Sequence, residues 1–260
     1  MRIGKQDNPY TAISTSDAHS ITIRGKDLCS ELIGHMGFTD FFFLLLTGKQ
    51  ATENQRYLVD AVLLSIAEHG LVPSVQAARM TLAAAPEALQ GAVAAGLLGC
   101  GSVVLGSTEA CGRFLSGLID DARKRGISFD AAAQETLAAM AAAKKQVPGF
   151  GHPQHSGGDP RAARLLELAA ERGAEGDHIR MLRAIEKAIP GALGRSLPIN
   201  VSGAIPAVML DAGFPLAALK GIPILARTAG LIAHLNEEAS RPIGFLMSHH
   251  AAQSIQYDGL

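Results

Sequence analysis

The chain has 260 residues, with 48% apolar and 18% charged residues and a formal net charge of −1. That composition belongs to a folded globular protein with a sizeable core, and it excludes a disordered chain. The near-neutral balance, without any Lys/Arg run, argues against nucleic acid or an anionic membrane surface as partner.

The opening residues, MRIGKQDNPYTAISTSD, have no apolar core of the kind a signal peptide needs, and a cytoplasmic protein is expected. Cys29, Cys100 and Cys111 are odd in number and lack CxxC spacing, which predicts free thiols and no metal site. SITIRGKD alternates as a strand does, and almost everything after it reads helical. FFFLLL at 41–46 is too short for a membrane span, and the run at 92–106 is also short and broken by glycines.

YLVDAVLLSIAEHG places Leu58, Ala61, Val62, Ser65, Ile66 and His69 on one helical stripe, and Gly70 marks the expected stop. FDAAAQETLAAMAAAKK, 129–145, is dense in helix formers. Asp159-Pro160 is a helix start, with Asp as cap and Pro in the first turn. LARTAGLIAHLNEE, 225–238, is apolar on nearly every side and predicts a buried helix. Pro/Gly-rich stretches at 147–160 and 190–203 are the hinge candidates. The expected fold is all-α, with a large domain (1–104 and 201–260) and a small domain (105–200) inserted in it.

Three places carry polar groups in unusual settings. His69 is either a core histidine bonded to a carbonyl or a donor lining a pocket at a helix end. Arg227 and His234 share a face of an apolar helix, and a buried guanidinium needs an anion, either Glu237 or Glu238 or a ligand's carboxylate. In VPGFGHPQHSGGDPRA, Gly149 and Gly151 let the backbone approach a ligand, His152 sits at the loop tip, and Arg161 opens the next helix, a favourable place for an anion. No P-loop, HExxH or GxSxG is present, so phosphoryl transfer, zinc proteolysis and serine hydrolysis have no motif support.

Four segments together resemble the citrate synthase superfamily, including its citryl-CoA lyase module. ISTSDAHSITIRGKDLCSELIGHMGFTDFFFLLLTGKQAT resembles the family's amino-terminal segment, and PGFGHPQHSGGDPRA its GFGHRxYKxxDPRA signature. LPINVSGAIPAVMLDAGFP is similar to its PNVDFYSG…MGIP stretch, and LARTAGLIAHLNEEASRPIG to ARTxGWIAHxxE…RPR. The resemblance implies a two-domain helical fold in which His69 and His152 bond the substrate's oxygens and Arg161 and Arg227 bind its carboxylates. Arg241 would reach the other subunit's site, implying a homodimer. Val147, Pro148, Gly149, Phe150 and Gly151 would bind coenzyme A through their backbone.

Two departures narrow the expected activity. The family synthases' catalytic histidine falls on Val104, as in citryl-CoA lyase modules, and the family's catalytic aspartate falls on Ser202. A serine hydroxyl is not ionised near neutral pH. The expectation is a carbon–carbon lyase that splits citryl-CoA, or a related 3-hydroxy-3-carboxyacyl-CoA, into a 2-oxo acid such as oxaloacetate and an acyl-CoA such as acetyl-CoA, without ATP or metal. His152 would carry the hydroxyl proton; His155, Asp159 or a water on Ser202 would serve the carbon side. The alternatives are a citrate synthase-type condensing acyltransferase and a non-catalytic protein binding CoA and a dicarboxylate.

Overall fold

A computed structural model describes residues 9–101, 107–151 and 157–259. His152, His155 and Val104 lie outside the described residues. The chain is all-α apart from a small antiparallel sheet of β1 (Ser14–Ser16), β2 (Ile21–Ile23) and β3 (Lys26–Asp27), in which Thr15 pairs with Thr22 and Ile23 with Lys26. The strand-like alternation of SITIRGKD is realised there.

The helices are α1 (Phe38–Thr47), α2 (Glu53–Ala67), α3 (Pro73–Ala84), α4 (Leu89–Leu98), α5 (Ser107–Arg125), α6 (Phe129–Ala142), α7 (Pro160–Glu171), α8 (Asp177–Leu193), α9 (Val201–Asp211), α10 (Gly221–Ser240) and α11 (Gly244–Ser254). Asp159 caps α7 as its sequence predicts, accepting the Arg161 N–H at 3.1 Å. α8 is capped from outside its own sequence: buried Asp211 accepts from the N–H groups of Gly176, His178 and Ile179 at 2.8–3.0 Å.

α9 is the axis of the larger core. Its run of small apolar residues, Gly203 to Met209, is buried on all sides, with α5, α7 and α8 packed around it. α2, α6 and the start of α10 complete this core through Leu58, Leu137 and Ile222. A smaller core joins α3, α4 and the second half of α10 through Val75, Ala92 and Leu231. α10 thus spans both, contributing Ala226 to one and Leu231 to the other.

Two expectations need correction. α2 stops at Ala67 because Glu68 is already extended (φ −133°, ψ 144°), so His69 lies past the helix rather than on its stripe. α10 is not enclosed on every side. One face packs on α2, α3 and α4, while Ile224 and Ile232 are exposed, because no described element covers that face. The stretch Leu216–Ser240 is long and apolar enough to cross a membrane by length and composition alone. It nevertheless carries the buried cation Arg227.

Candidate functional site

The loop 147–151 is built against the segment leading into α9. Phe150 pairs with Ile199 in an isolated antiparallel bridge, the Gly151 N–H donates to Pro198 O at 2.8 Å, and Asn200 N–H donates to Gly149 O at 3.0 Å. Asn200 Nδ2 also donates to Gly151 O at 2.6 Å, while its Oδ1 caps α9 by accepting the Gly203 N–H. A Cβ at position 149 would lie 2.7 Å from Cys111 Sγ and 2.8 Å from Gly203 Cα, at a φ of +86°. Position 149 therefore admits only glycine, both sterically and conformationally. With Pro148 O, which accepts from Cys111 Sγ at 3.5 Å, four polar backbone groups of this loop are already used internally.

Beside the loop lies a cleft of about 640 Å³ lined by Lys144, Lys145, Val147, Gly151, Arg195 and Leu197. Lys144 adopts a left-handed conformation (φ 51°), which ends α6 and turns the chain toward the loop. Three cations around a cleft floored by apolar side chains match a ligand that is anionic at one end and organic at the other. Sequence reading took Lys144 and Lys145 as the tail of a helix and left out Arg195.

The candidate Ser202 stands in the first turn of α9, where free amides favour negative charge. Its Oγ accepts from Ser107 Oγ, the first residue of α5, at 2.9 Å. Two residues from an interior helix start, this pair is a hydrogen-bond donor without a charge of its own. Asp159 approaches the same turn. Its Oδ2 accepts the Val201 N–H and Arg161 Nη2, both at 2.9 Å, and its Oδ1 accepts Arg161 Nε at 3.0 Å.

Burial alone would raise the Asp159 carboxyl, but Arg161 and the Val201 amide outweigh it and hold it below the ordinary carboxylate value. An ionised carboxylate has no proton to give. Asp159 is thus occupied by capping and ion pairing, which removes it from the proton-donor candidates. Arg161 is fixed on Asp159 by two of its nitrogens, Nε and Nη2.

Arg227 sits where the two cores meet on α10 and is only 3% exposed. Its Nε and Nη1 are buried and have no hydrogen-bond partner among the described residues. The two carboxylates that its sequence context suggested, Glu237 and Glu238, are both engaged by Arg79 instead, at 3.0 and 2.6 Å. Ser74 Oγ is likewise buried, with the Cys100 thiol beside it. The Arg227 charge is felt at Cys100, whose thiol is nevertheless pushed up by burial. Unsatisfied buried donors are costly, so this corner is organised for an incoming acceptor.

The described site residues thus fall into two groups. Ser202, Ser107, Arg161 and the 147–151 loop are joined by the contacts above. Arg227, with Ser74 and Cys100, forms the other, and half-buried His69 follows the end of α2, the helix α10 packs on. Seven chain steps (107 − 100 = 7) join Cys100 of one group to Ser107 of the other, so those two residues lie within about 25 Å of each other. Arg241 is elsewhere: it ends α10 with its side chain 81% exposed.

Comparison with known proteins identifies the family. The family model for the citrate synthase C-terminal domain matches residues 34–244. The structure is similar to a citryl-CoA lyase from Hydrogenobacter thermophilus, with a TM-score of 0.84, 31% identity, and coverage of 100% of this chain and 96% of that one. An ATP citrate lyase mutant from Methanosaeta concilii in complex with (3S)-citryl-CoA shares the fold at a TM-score of 0.75 and 23% identity, this chain covering 43% of that one and 99% of itself. A citrate synthase from Thermoplasma acidophilum, solved with carboxymethyl coenzyme A and oxaloacetate, does so at 0.65 and 20% identity over 79% of this chain and 54% of that one. No curated protein sequence matches. On the family model, the matched motifs and the fold together, the chain belongs to the citrate synthase family.

Proposed function

We propose that this protein is an acyl-CoA carbon–carbon lyase, cleaving citryl-CoA or a related 3-hydroxy-3-carboxyacyl-CoA into oxaloacetate or a similar 2-oxo acid and an acyl-CoA such as acetyl-CoA. The observation that carries it is the buried Arg227 guanidinium with unpaired Nε and Nη1. Such a group is complete only when a carboxylate reaches it. The likeness to a citryl-CoA lyase over nearly the whole of both chains supports the choice of reaction.

In this reading Arg161 and Arg227 clamp the substrate's carboxylates, and His69 and His152 bond its oxygens. The clamp fixes the breaking bond relative to the base. His152 takes the proton of the tertiary hydroxyl; its oxygen becomes the carbonyl of the 2-oxo acid as the carbon–carbon bond breaks. The released electron pair passes to the thioester as an enolate. The Ser107–Ser202 hydroxyls, at the start of α9, supply a neutral donor toward that negative charge. Carbon protonation then falls to His155 or to a water on Ser202. The reverse condensation would use the same carbon-side group as its base, and the un-ionised Ser107–Ser202 hydroxyls cannot themselves be that base.

Coenzyme A would lie along the 147–151 loop with its phosphates toward Lys144, Lys145 and Arg195. The open apolar side of α10, with Ile224 and Ile232, supports a homodimer in which Arg241 completes the partner's site. Closure of the 105–200 unit on the remainder would assemble the site in a cytosolic enzyme. The decisive experiment incubates the protein with citryl-CoA and follows oxaloacetate through malate dehydrogenase and NADH. Absence of release from citryl-CoA and from other 3-hydroxy-3-carboxyacyl-CoA thioesters refutes the proposal.

A further inference from the structure

Four ionisable side chains with no part in the chemistry above form a continuous line of hydrogen bonds and ion-pair contacts between α2, α3 and α10. Glu68 Oε1 accepts the backbone N–H groups of His69 at 2.9 Å and Gly70 at 2.5 Å. Its Oε2 lies 2.9 Å from His234 Nε2, and the other ring nitrogen, Nδ1, is 3.3 Å from Arg79 Nη1. Arg79 donates from Nε to Glu238 Oε2 at 2.6 Å and from Nη2 to the Arg241 carbonyl at 3.0 Å. Glu238 Oε1 finally accepts the N–H groups of Ile243 at 2.9 Å and Gly244 at 2.7 Å.

The line has a direction. A guanidinium only donates, so His234 Nδ1 is the acceptor and Nε2 carries the proton that reaches Glu68. Glu68 feels both neighbours: burial would raise its carboxyl, but the His234 contact and the Gly70 amide bring it below the ordinary value. Arg79 and Glu238 are buried, and a buried ion pair gains little over apolar packing of the same volume. Its worth therefore lies in what it holds, namely the backbone of His69 at one end and of Arg241 to Gly244 at the other.

We propose that Glu68, His234, Arg79 and Glu238 are positioning residues that set His69 and Arg241 as one unit, tying a substrate-binding histidine of one subunit to the arginine offered to its partner. The role in turnover rests on the lyase reading; the mechanical coupling does not. His234→Leu removes both ring contacts but leaves Arg79 paired with Glu237 and Glu238, so the fold survives. His234→Gln restores an N–H toward Glu68 and an oxygen toward Arg79.

With the full-length protein and citryl-CoA, His234→Leu is expected to lower kcat/KM about 100-fold, the loss typical of a misplaced reacting group. The Gln variant recovers most of it. Backbone amide hydrogen exchange accelerates in His234→Leu both at 69–70 and at 243–244. Unchanged kcat/KM in the Leu variant overturns the proposal, as does a Gln variant no better than Leu. A wild-type protein inert toward citryl-CoA refutes the lyase reading and leaves the coupling to exchange alone: acceleration at both ends supports it, and at one or neither overturns it.

Discussion

Replacing Arg227 with methionine separates stability from function. The guanidinium leaves Nε and Nη1 buried without partners, and each unsatisfied buried donor costs about 1–3 kcal/mol. Methionine keeps an unbranched apolar stem in the same space and removes both donors and the charge. The ligand-free variant should gain about 2–4 kcal/mol, in line with other buried charges replaced by apolar groups. For a chain of this length each kcal/mol moves Tm by about 2–4 °C, so a rise on the order of 5–10 °C is expected by calorimetry. Oxaloacetate at 100 times its Kd should stabilise the wild type by about 2.7 kcal/mol and the variant not at all, so saturating ligand closes much of the gap between them. An Arg227→Met protein that is less stable than wild type without ligand, or that is stabilised by oxaloacetate equally well, refutes the reasoning.

Gly149→Ala forces a Cβ into contact with Cys111 Sγ and Gly203 Cα at a positive φ; a loss of about 3 kcal/mol in denaturant unfolding is expected, and a neutral result contradicts the packing described. Changing Lys144, Lys145 and Arg195 together to Gln should weaken CoA binding and flatten its salt dependence, with oxaloacetate binding retained in calorimetric titration. Asp159 and Asp211 are held below their ordinary value: burial opposes this, but Arg161 and the Val201 amide for one, and His178 and three backbone amides for the other, prevail. A depressed folded-state pKa stabilises above the unfolded value and loses that contribution as pH falls through the folded one. Stability should therefore decline below about pH 4, and Asp211→Asn should flatten that limb of the pH–stability profile.

The helical architecture and the α7 cap were legible because they rest on local signals: periodicity, Ala/Leu density, and Asp before Pro. Within the candidate site, the motif pointed to Arg161 and the 147–151 loop, and both contact the start of α9 through Asp159 and Asn200. What escaped depended on side chains distant in sequence. Arg79 is separated from Glu238 by 238 − 79 = 159 positions, and only the helix packing joins them. A trace existed, since Arg79 falls on the buried stripe of α3 with Val75, Ala78 and Leu82, where an arginine demands a partner. Asp211 capping α8 had no such trace, because an external cap leaves no mark at the helix it serves. The expectation that α10 is enclosed followed from composition, which records that a face is apolar but not whether the same chain covers it.

The contact between Gly149 and Gly203 leaves no room at either site, whereas the residue between Val201 and Gly203 points its side chain away from that junction toward Ser107. Position 202 therefore lies clear of the seam that fixes positions 149 and 203, so its functional group is not dictated by that packing. In this chain a rigid glycine seam and a freely chosen hydroxyl thus stand side by side within three residues of α9.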